Sequence, residues 1–252
     1  MKKRLAILLF YVLLLAAWQG VFSAGLLPKY AWPSPLMVAE KLRELAADGI
    51  LWPSVKATLL RMFLGFGISA LIGLTFGMLM GTNSFIYQAL RSLFLGLQTL
   101  PSVAWVPISL LIFGLKDEGI YFVIIMSSVS AVAISAADGI CNIPPLYLRA
   151  AQTLGTPWHA MGYRVILPAA LPSLVTGIKL GWTLGWHGAV AAELIKSSIG
   201  LGFLLHMGRE LNDVSQVIGI MLVTIFIGLL VDRFVFGKIE HRIRRQWGLV
   251  SS

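Results

Sequence analysis

Six long apolar runs separated by short polar segments set the pattern of this chain, covering residues 5–22, 57–80, 94–115, 120–137, 171–194 and 214–231. A bilayer crossing takes about 20 predominantly apolar residues, so each run is a candidate span. Arg61 interrupts the second run, Pro101 and Pro107 lie inside the third, and the fifth carries Lys179, His187 and Glu193. The pattern predicts an all-α, polytopic membrane protein with six transmembrane helices. The first run follows Met1-Lys-Lys-Arg4, so a secretory signal peptide ending near Val21-Phe22-Ser23 is the alternative reading. Its 18 residues exceed the usual apolar core of such a peptide, about 7–15 residues.

Two other patterns are readable. Ser34 and Pro35 supply a helix cap and first turn, Gly49 a stop, and Val38, Leu42 and Leu45 fall on one face between them. This predicts an amphipathic helix on the outer side, packed on the spans in preference to lying on the membrane. Gly73, Gly77 and Gly81 recur every four residues and permit close helix approach, read as packing within the chain.

Composition agrees with a membrane protein. Hydrophobic residues make up 58% of the 252 and charged residues 12%, against about 25% in soluble domains. The net charge of +9 does not come from a basic stripe interleaved with aromatics, which argues against a nucleic-acid partner and for the membrane. Cys141 is the only cysteine, so no intrachain disulfide forms, and no zinc or haem spacing occurs. With the amino terminus inside, eleven Lys and Arg fall in cytoplasmic segments and six in outer ones. The positive-inside rule therefore places both termini in the cytoplasm.

Residues 149–168, RAAQTLGTPWHAMGYRVILP, are too polar to span. Pro145 starts a helix with Leu146, Ala150 and Leu154 on one face, and Gly155 stops it. Thr156 and Pro157 start a second helix from Trp158 to Val165 that gives way at Pro168. The result is a helix-turn-helix on the cytoplasmic surface. It either folds back on its own bundle or docks a partner, with Ala150 and Ala151 admitting a partner's wall and Trp158 and Met161 filling its pocket.

Ala150-Ala151, three residues, Gly155, nine residues and Val165-Ile-Leu-Pro168 resemble the EAA loop of permease subunits of ATP-binding-cassette (ABC) importers. Arg149 stands where that pattern has Glu, and Val165 where it has Ile. Pro101-Ser-Val-Ala-Trp-Val-Pro107, Phe113-Gly114, Thr176-Gly-Ile-Lys179, Trp186, Ala191-Ala-Glu193, Gly200-Leu-Gly-Phe203, Asp232 and Glu240 to Trp247 are similar to its nitrate, sulfonate and taurine branch. The resemblance implies a type I ABC importer permease fold: an N-terminal transmembrane helix (1–30), an external segment (31–53), a core (54–236) with a coupling loop at 145–168, and a basic tail (237–252). It implies ATPase coupling through Arg149, Ala150, Ala151, Leu154, Gly155, Trp158, Met161 and Pro168. The implied partners are an ATPase dimer that binds ATP and Mg, a second permease copy and a periplasmic or lipid-anchored solute-binding protein, with lipid around and no cofactor on this chain. Consistent with that division, the chain has no G-x-x-x-x-G-K-[ST] motif.

Ionisable groups within a bilayer cost about 2.5–3.5 kcal/mol each and face a cavity or a partner. Arg61, Lys179, His187 and Glu193, with Trp186 from the motif likeness, are therefore candidates to line a pathway. Lys179 and Glu193 share a helix face about 21 Å apart, too far to pair. Arg61 and Glu193 either face the pathway or snorkel to the interface. His187 is either a pathway group or a packing residue. Arg61 and Lys179 together suggest a path for a small anion such as a sulfonate, taurine or nitrate. A vitamin precursor or an aromatic acid is the alternative cargo. A membrane enzyme fits poorly, since no H-E-x-x-H, paired carboxylates or G-x-S-x-G occurs, and a self-contained carrier would show two related halves.

Overall fold

The computed structural model describes residues 2–25, 28, 31–196 and 198–246, and among them every regular element is a helix. Lys29 and Trp247 lie outside the described residues, as do the side chains of Trp158, Lys196, Arg244 and the amino-terminal Lys2, Lys3 and Arg4. The helices are α1 Lys2–Ser23, α2 Pro35–Ala47, α3 Leu51–Met80, α4 Ser84–Gln98, α5 Trp105–Phe113, α6 Glu118–Cys141, α7 Pro145–Thr153, α8 Trp158–Met161, α9 Leu167–Lys196, α10 Leu201–Glu210, α11 Val214–Val231 and α12 Gly237–Gln246. Five stretches are long and apolar enough to cross a membrane, and six if the bent pair α4–α5 is one span.

Helix α6 is the post of the bundle, because the small side chains of its second half let two neighbouring helices approach closely. Ser128, Ala131, Ala133, Ala136, Ala137 and Gly139 are all buried. α3 lies on one side and presents Gly65, Gly73, Gly77 and Gly81. A Cβ at Gly73 would sit 2.7 Å from Val132, and one at Gly77 would collide with Ala136 and the Ala133 carbonyl. α9 lies on the other side with a second stripe, Gly177, Gly181, Gly185 and Gly188, against Ser135, Val132, Ser128 and Ser127. Lipid tails are as apolar as leucine, so helices here associate through close packing and hydrogen bonds. Both stripes provide that closeness, and Ser128 Oγ lies 2.8 Å from Ser69 Oγ across the α3–α6 contact.

The predicted third span is not continuous. α4 and the segment Ser102–Phe113 meet at 90°. Pro101 has no N–H to give, and its ring moves Leu100 out of the helical region, so α4 ends at the Thr99 cap. Pro107 falls in the first turn of α5 and is accommodated there. The predicted break at Pro168 is absent as well. Gly162–Ile166 form a π-helical turn in which the Leu167 N–H reaches Gly162 O, and the chain runs helically from His159 to Ile195. A wide turn re-routes backbone bonds around a residue that lacks an N–H, and such bulges are tolerated inside helices.

α2 has the predicted cap, with the Met37 N–H donating to Ser34 Oγ at 3.2 Å. Val38 and Leu45 are buried, and Val38 and Leu42 lie against Gly219 of α11. Lys41 pairs with Asp213 at 3.2 Å, and its hydrogen bond to Glu44 is the main cause raising its pKa above the usual lysine value. α1 stands apart: Leu5, Phe10 and Leu15 are exposed, and the Trp18 indole N–H donates to Pro33 O at 3.0 Å near its end.

Gly77→Leu should lower the thermal unfolding midpoint of the purified protein in detergent by the equivalent of about 1–3 kcal/mol, the cost of overpacking a tight contact. Gly67→Leu, where a Cβ meets no atom within 4 Å, serves as the control and should leave the midpoint in place.

Candidate functional site

Three places carry the chemistry. At one end of the bundle, the Glu193 carboxylate of α9 is wholly buried, at 0% exposure. Thr58 Oγ donates to its Oε2 at 2.7 Å, the Gly202 N–H to the same oxygen at 3.1 Å, and Arg61 Nη1 to Oε1 at 3.0 Å. Arg61 also donates to Ile199 O at 2.6 Å and, through Nη2, to both oxygens of Asp117 at 3.1 Å. The Leu201 N–H donates to Thr58 Oγ at 2.9 Å. Thr58 and Arg61 are three residues apart and so share a face of α3. Gly200 has φ +146°, and a Cβ there would lie 2.5 Å from the Glu193 carboxyl, so both backbone and space require glycine. The cluster joins α3, α9, the α5–α6 connection and the start of α10. Arg61 and Glu193 thus turn inward to each other, in place of opening on a pathway or reaching the interface: each satisfies a charge that neither lipid nor core would tolerate alone.

The second place is α9 below this cluster. Lys179 pairs with Asp232 at 2.8 Å and lies 3.9 Å from Glu240. The two cations expected to bias a path toward anions are therefore each held by carboxylates of this chain. Trp186 is buried at 7% exposure in the main core with Trp182, and both line a cleft between α9 and α11 with Thr183, His187, Thr224 and Gly228. His187 is exposed, and with Ser173, Thr176 and Thr183 it gives α9 an open polar face along the middle of its length.

The third place is the polar loop. Gly155 sits at φ +76°, its N–H donating to Gln152 O and that of Thr156 to Ala151 O, both at 2.9 Å. This pair of bonds satisfies the last carbonyls of α7 as a glycine stop does. The second helix begins at Trp158 as predicted, but with Pro157 and not Thr156 at the cap position and no side-chain cap. Leu146, Arg149, Ala150 and Leu154 are exposed, Leu154 at 84%. Ala151 is buried at 8% and turns toward the bundle, at the floor of a cleft. Met161 and Pro168 are half-buried, and Pro168 lines a cleft with Tyr147, Ala151 and Arg164.

Comparison with known proteins places this arrangement. Residues 73–245 match the family described as the binding-protein-dependent transport system inner membrane component. The chain belongs to this family. It is similar to the bicarbonate transport system permease protein CmpB of Synechococcus elongatus, at 34% identity over 88% of this chain and 83% of the relative. It is also similar to the taurine transport system permease protein TauC of Escherichia coli, at 32% identity over 86% and 81%. Its fold matches that of a chain of the MetNI methionine ABC transporter in an inward-facing form, with a TM-score of 0.66 over 77% of this chain and 95% of the other, at 18% identity. The protein is an ABC-importer permease and an integral inner-membrane protein, as the loop motif implied. Membership implies an ATPase and a substrate-binding protein as partners.

Sequence reasoning missed three members of the Glu193 cluster, Thr58, Asp117 and Gly202. A neutral hydroxyl, a loop acid and a backbone N–H carry no signal of their own before the fold brings them together. The one hint was Gly200-Leu-Gly-Phe203, where two glycines hold the turn against the Glu193 side chain. Asp138 was likewise assigned no partner, yet Tyr87 Oη donates to it at 2.7 Å and Arg91 lies at 3.4 Å.

Arg61→Met should destabilise the permease by about 3–5 kcal/mol, because it leaves the buried Glu193 carboxylate without its counter-charge, and Glu193→Gln should cost less, because Asp117 still pairs with Arg61. The double variant should recover much of that loss in a thermal or denaturant double-mutant cycle. Additive losses would mean the two groups do not act as a pair.

Proposed function

We propose that this permease works as two identical copies around one pathway, each copy docking one subunit of an ATPase dimer that binds the ATP and Mg, while this chain performs no chemistry of its own. The observation that carries the reading is the open polar face of α9, Ser173, Thr176, Thr183 and His187, in a span where lipid would penalise it. Facing a second copy across water, the same side chains line a path. Both termini lie in the cytoplasm, in keeping with the excess of Lys and Arg in the segments assigned there. The cargo is a small anion. The relatives named for bicarbonate and taurine, and one named for nitrate, share that chemistry. ATP closure of the ATPase draws the two loops together and opens the path outward to the binding protein, and hydrolysis resets it inward, a two-state element biased by ligand.

The docking face consists of Leu146, Arg149, Ala150 and Leu154, with Gly155 fixing the turn that presents them and Met161 and Pro168 supporting it. Leu154→Asp changes an exposed side chain, so the fold tolerates it. It should cut co-purification of the ATPase subunit at least tenfold, the effect of losing an interface anchor worth about 2 kcal/mol. Arg209→Ala, exposed on α10, should leave co-purification intact. Undiminished ATPase capture by Leu154→Asp would remove the loop from the docking role. Photobleaching of singly labelled permease in the reconstituted complex should give two steps; one step would exclude the paired arrangement.

A further inference from the structure

The right-angle break between α4 and α5 splays the two helices and leaves a cavity of about 450 Å³ against α6 and α9. Its walls include Gln98 and Thr99 at the end of α4, Ser102 after the break, Ser127 of α6, and Leu184 and His187 of α9. His187 lies six residues from Glu193 and eight from Lys179, about 9 Å and 12 Å along the helix, and so sits at mid-depth between the Glu193 cluster and the Lys179 pair. Ser102 Oγ donates to Leu184 O at 3.4 Å and ties the break to α9 at this level. The Thr99 hydroxyl donates to Gly96 O at 2.7 Å and keeps its lone pairs. Ser127 Oγ is buried with no hydrogen-bond partner among the described residues, and no hydrogen bond among them engages the side chains of Gln98 or His187. A buried hydroxyl left unpaired costs about 1–3 kcal/mol, which a passing ligand would recover.

We propose that this cavity is a cargo subsite that binds a small oxoanion through neutral donors, the Gln98 amide, the Ser127 hydroxyl and a ring N–H of His187, without a fixed positive charge. It rests on the anion-importer reading above and adds to it the place and the means of selection. No carboxylate lines the cavity to repel an anion, and its volume holds an oxoanion with several waters at about 30 Å³ each. Neutral donors suit transport better than a bare Lys or Arg. A site on a conduction path must bind well enough to admit its ligand and weakly enough to release it. The two cations that would bind too firmly are held by carboxylates, Arg61 by Glu193 and Asp117, and Lys179 by Asp232 and Glu240.

The test uses the whole complex of permease, ATPase and binding protein in proteoliposomes, with nitrate, bicarbonate and taurine as separate labelled probes. Ser127→Ala, Gln98→Leu and His187→Phe should each lower the maximal ATP-driven uptake of the anion that wild type imports by about five- to tenfold, the effect of one lost hydrogen bond. They should also change the preference among the three probes, while the thermal midpoint stays at its wild-type value. His187→Gln, which restores an amide donor, should recover most of the rate. Wild-type uptake rates and preferences in Ser127→Ala and Gln98→Leu would overturn the subsite and leave the importer reading standing. A wild-type complex that imports none of the three anions would overturn both.

Discussion

A charge inside a bilayer protein must find its counter-charge within the same fold, and at one end of this permease that requirement is met by Arg61 and Glu193. The pair is desolvated on both sides, at 8% and 0% side-chain exposure, so it stabilises only because Thr58, Gly202, Ile199 and Asp117 satisfy the remaining donors and lone pairs. Other features follow from it. Gly200 is a glycine because the Glu193 carboxylate occupies the space a side chain would take, and Gly202 because Val190 O and Glu193 Cβ of α9 do. The turn into α10 is fixed by N–H groups that report to Thr58 and Glu193. Asp117, more than half exposed, extends the cluster toward solvent, where ion pairs contribute little, and serves to hold the α5–α6 connection in register with α3.

Below that clamp, cohesion changes in kind. Between α3, α6 and α9 it comes from close backbone approach. Two glycine stripes of different helices press on α6, whose Ser, Ala, Val and Ile side chains meet them, so it is locked on both sides without charge. Such packing transmits displacement well, since neither stripe has slack to absorb it. At the other end, charges return in more exposed form: Asp138 with Tyr87 and Arg91, and Lys179 with Asp232 and Glu240. The bundle thus has a desolvated pair at one end and partly solvated pairs at the other. The π turns among the described residues are Gly162–Ile166 beside the loop and Asp232–Phe236 before α12.

The faces that remain open match the parts that work with partners. α1 is apolar and exposed along its length, α9 is polar and exposed at mid-depth, and α7 offers Leu146 and Leu154 to solvent. A single chain leaves all three unsatisfied in different ways: lipid covers the first, water or a second copy the second, and only a protein groove suits the third.

Much of this was legible along the chain. Run lengths fixed the number and rough limits of the membrane helices, since bilayer thickness is an external ruler that the sequence must match. The polar loop stood out because only a functional surface keeps arginine, histidine, glycine and proline between two apolar runs, and its helix, glycine stop and second helix are local events set by local residues. The cap at Ser34 and the face formed by Val38 and Leu45 were readable for the same reason. Three-dimensional structure decided the rest. It bent the third span at Pro101, carried the fifth through Pro168 on a π turn, and turned Ala151 inward. It also converted Arg61, Lys179 and Glu193 from candidate pathway charges into paired ones. A one-dimensional pattern shows that a charge lies in the membrane, but its partner is 132 residues away for Arg61 and Glu193, and only the packing of α3 and α9 on α6 brings them to 3.0 Å.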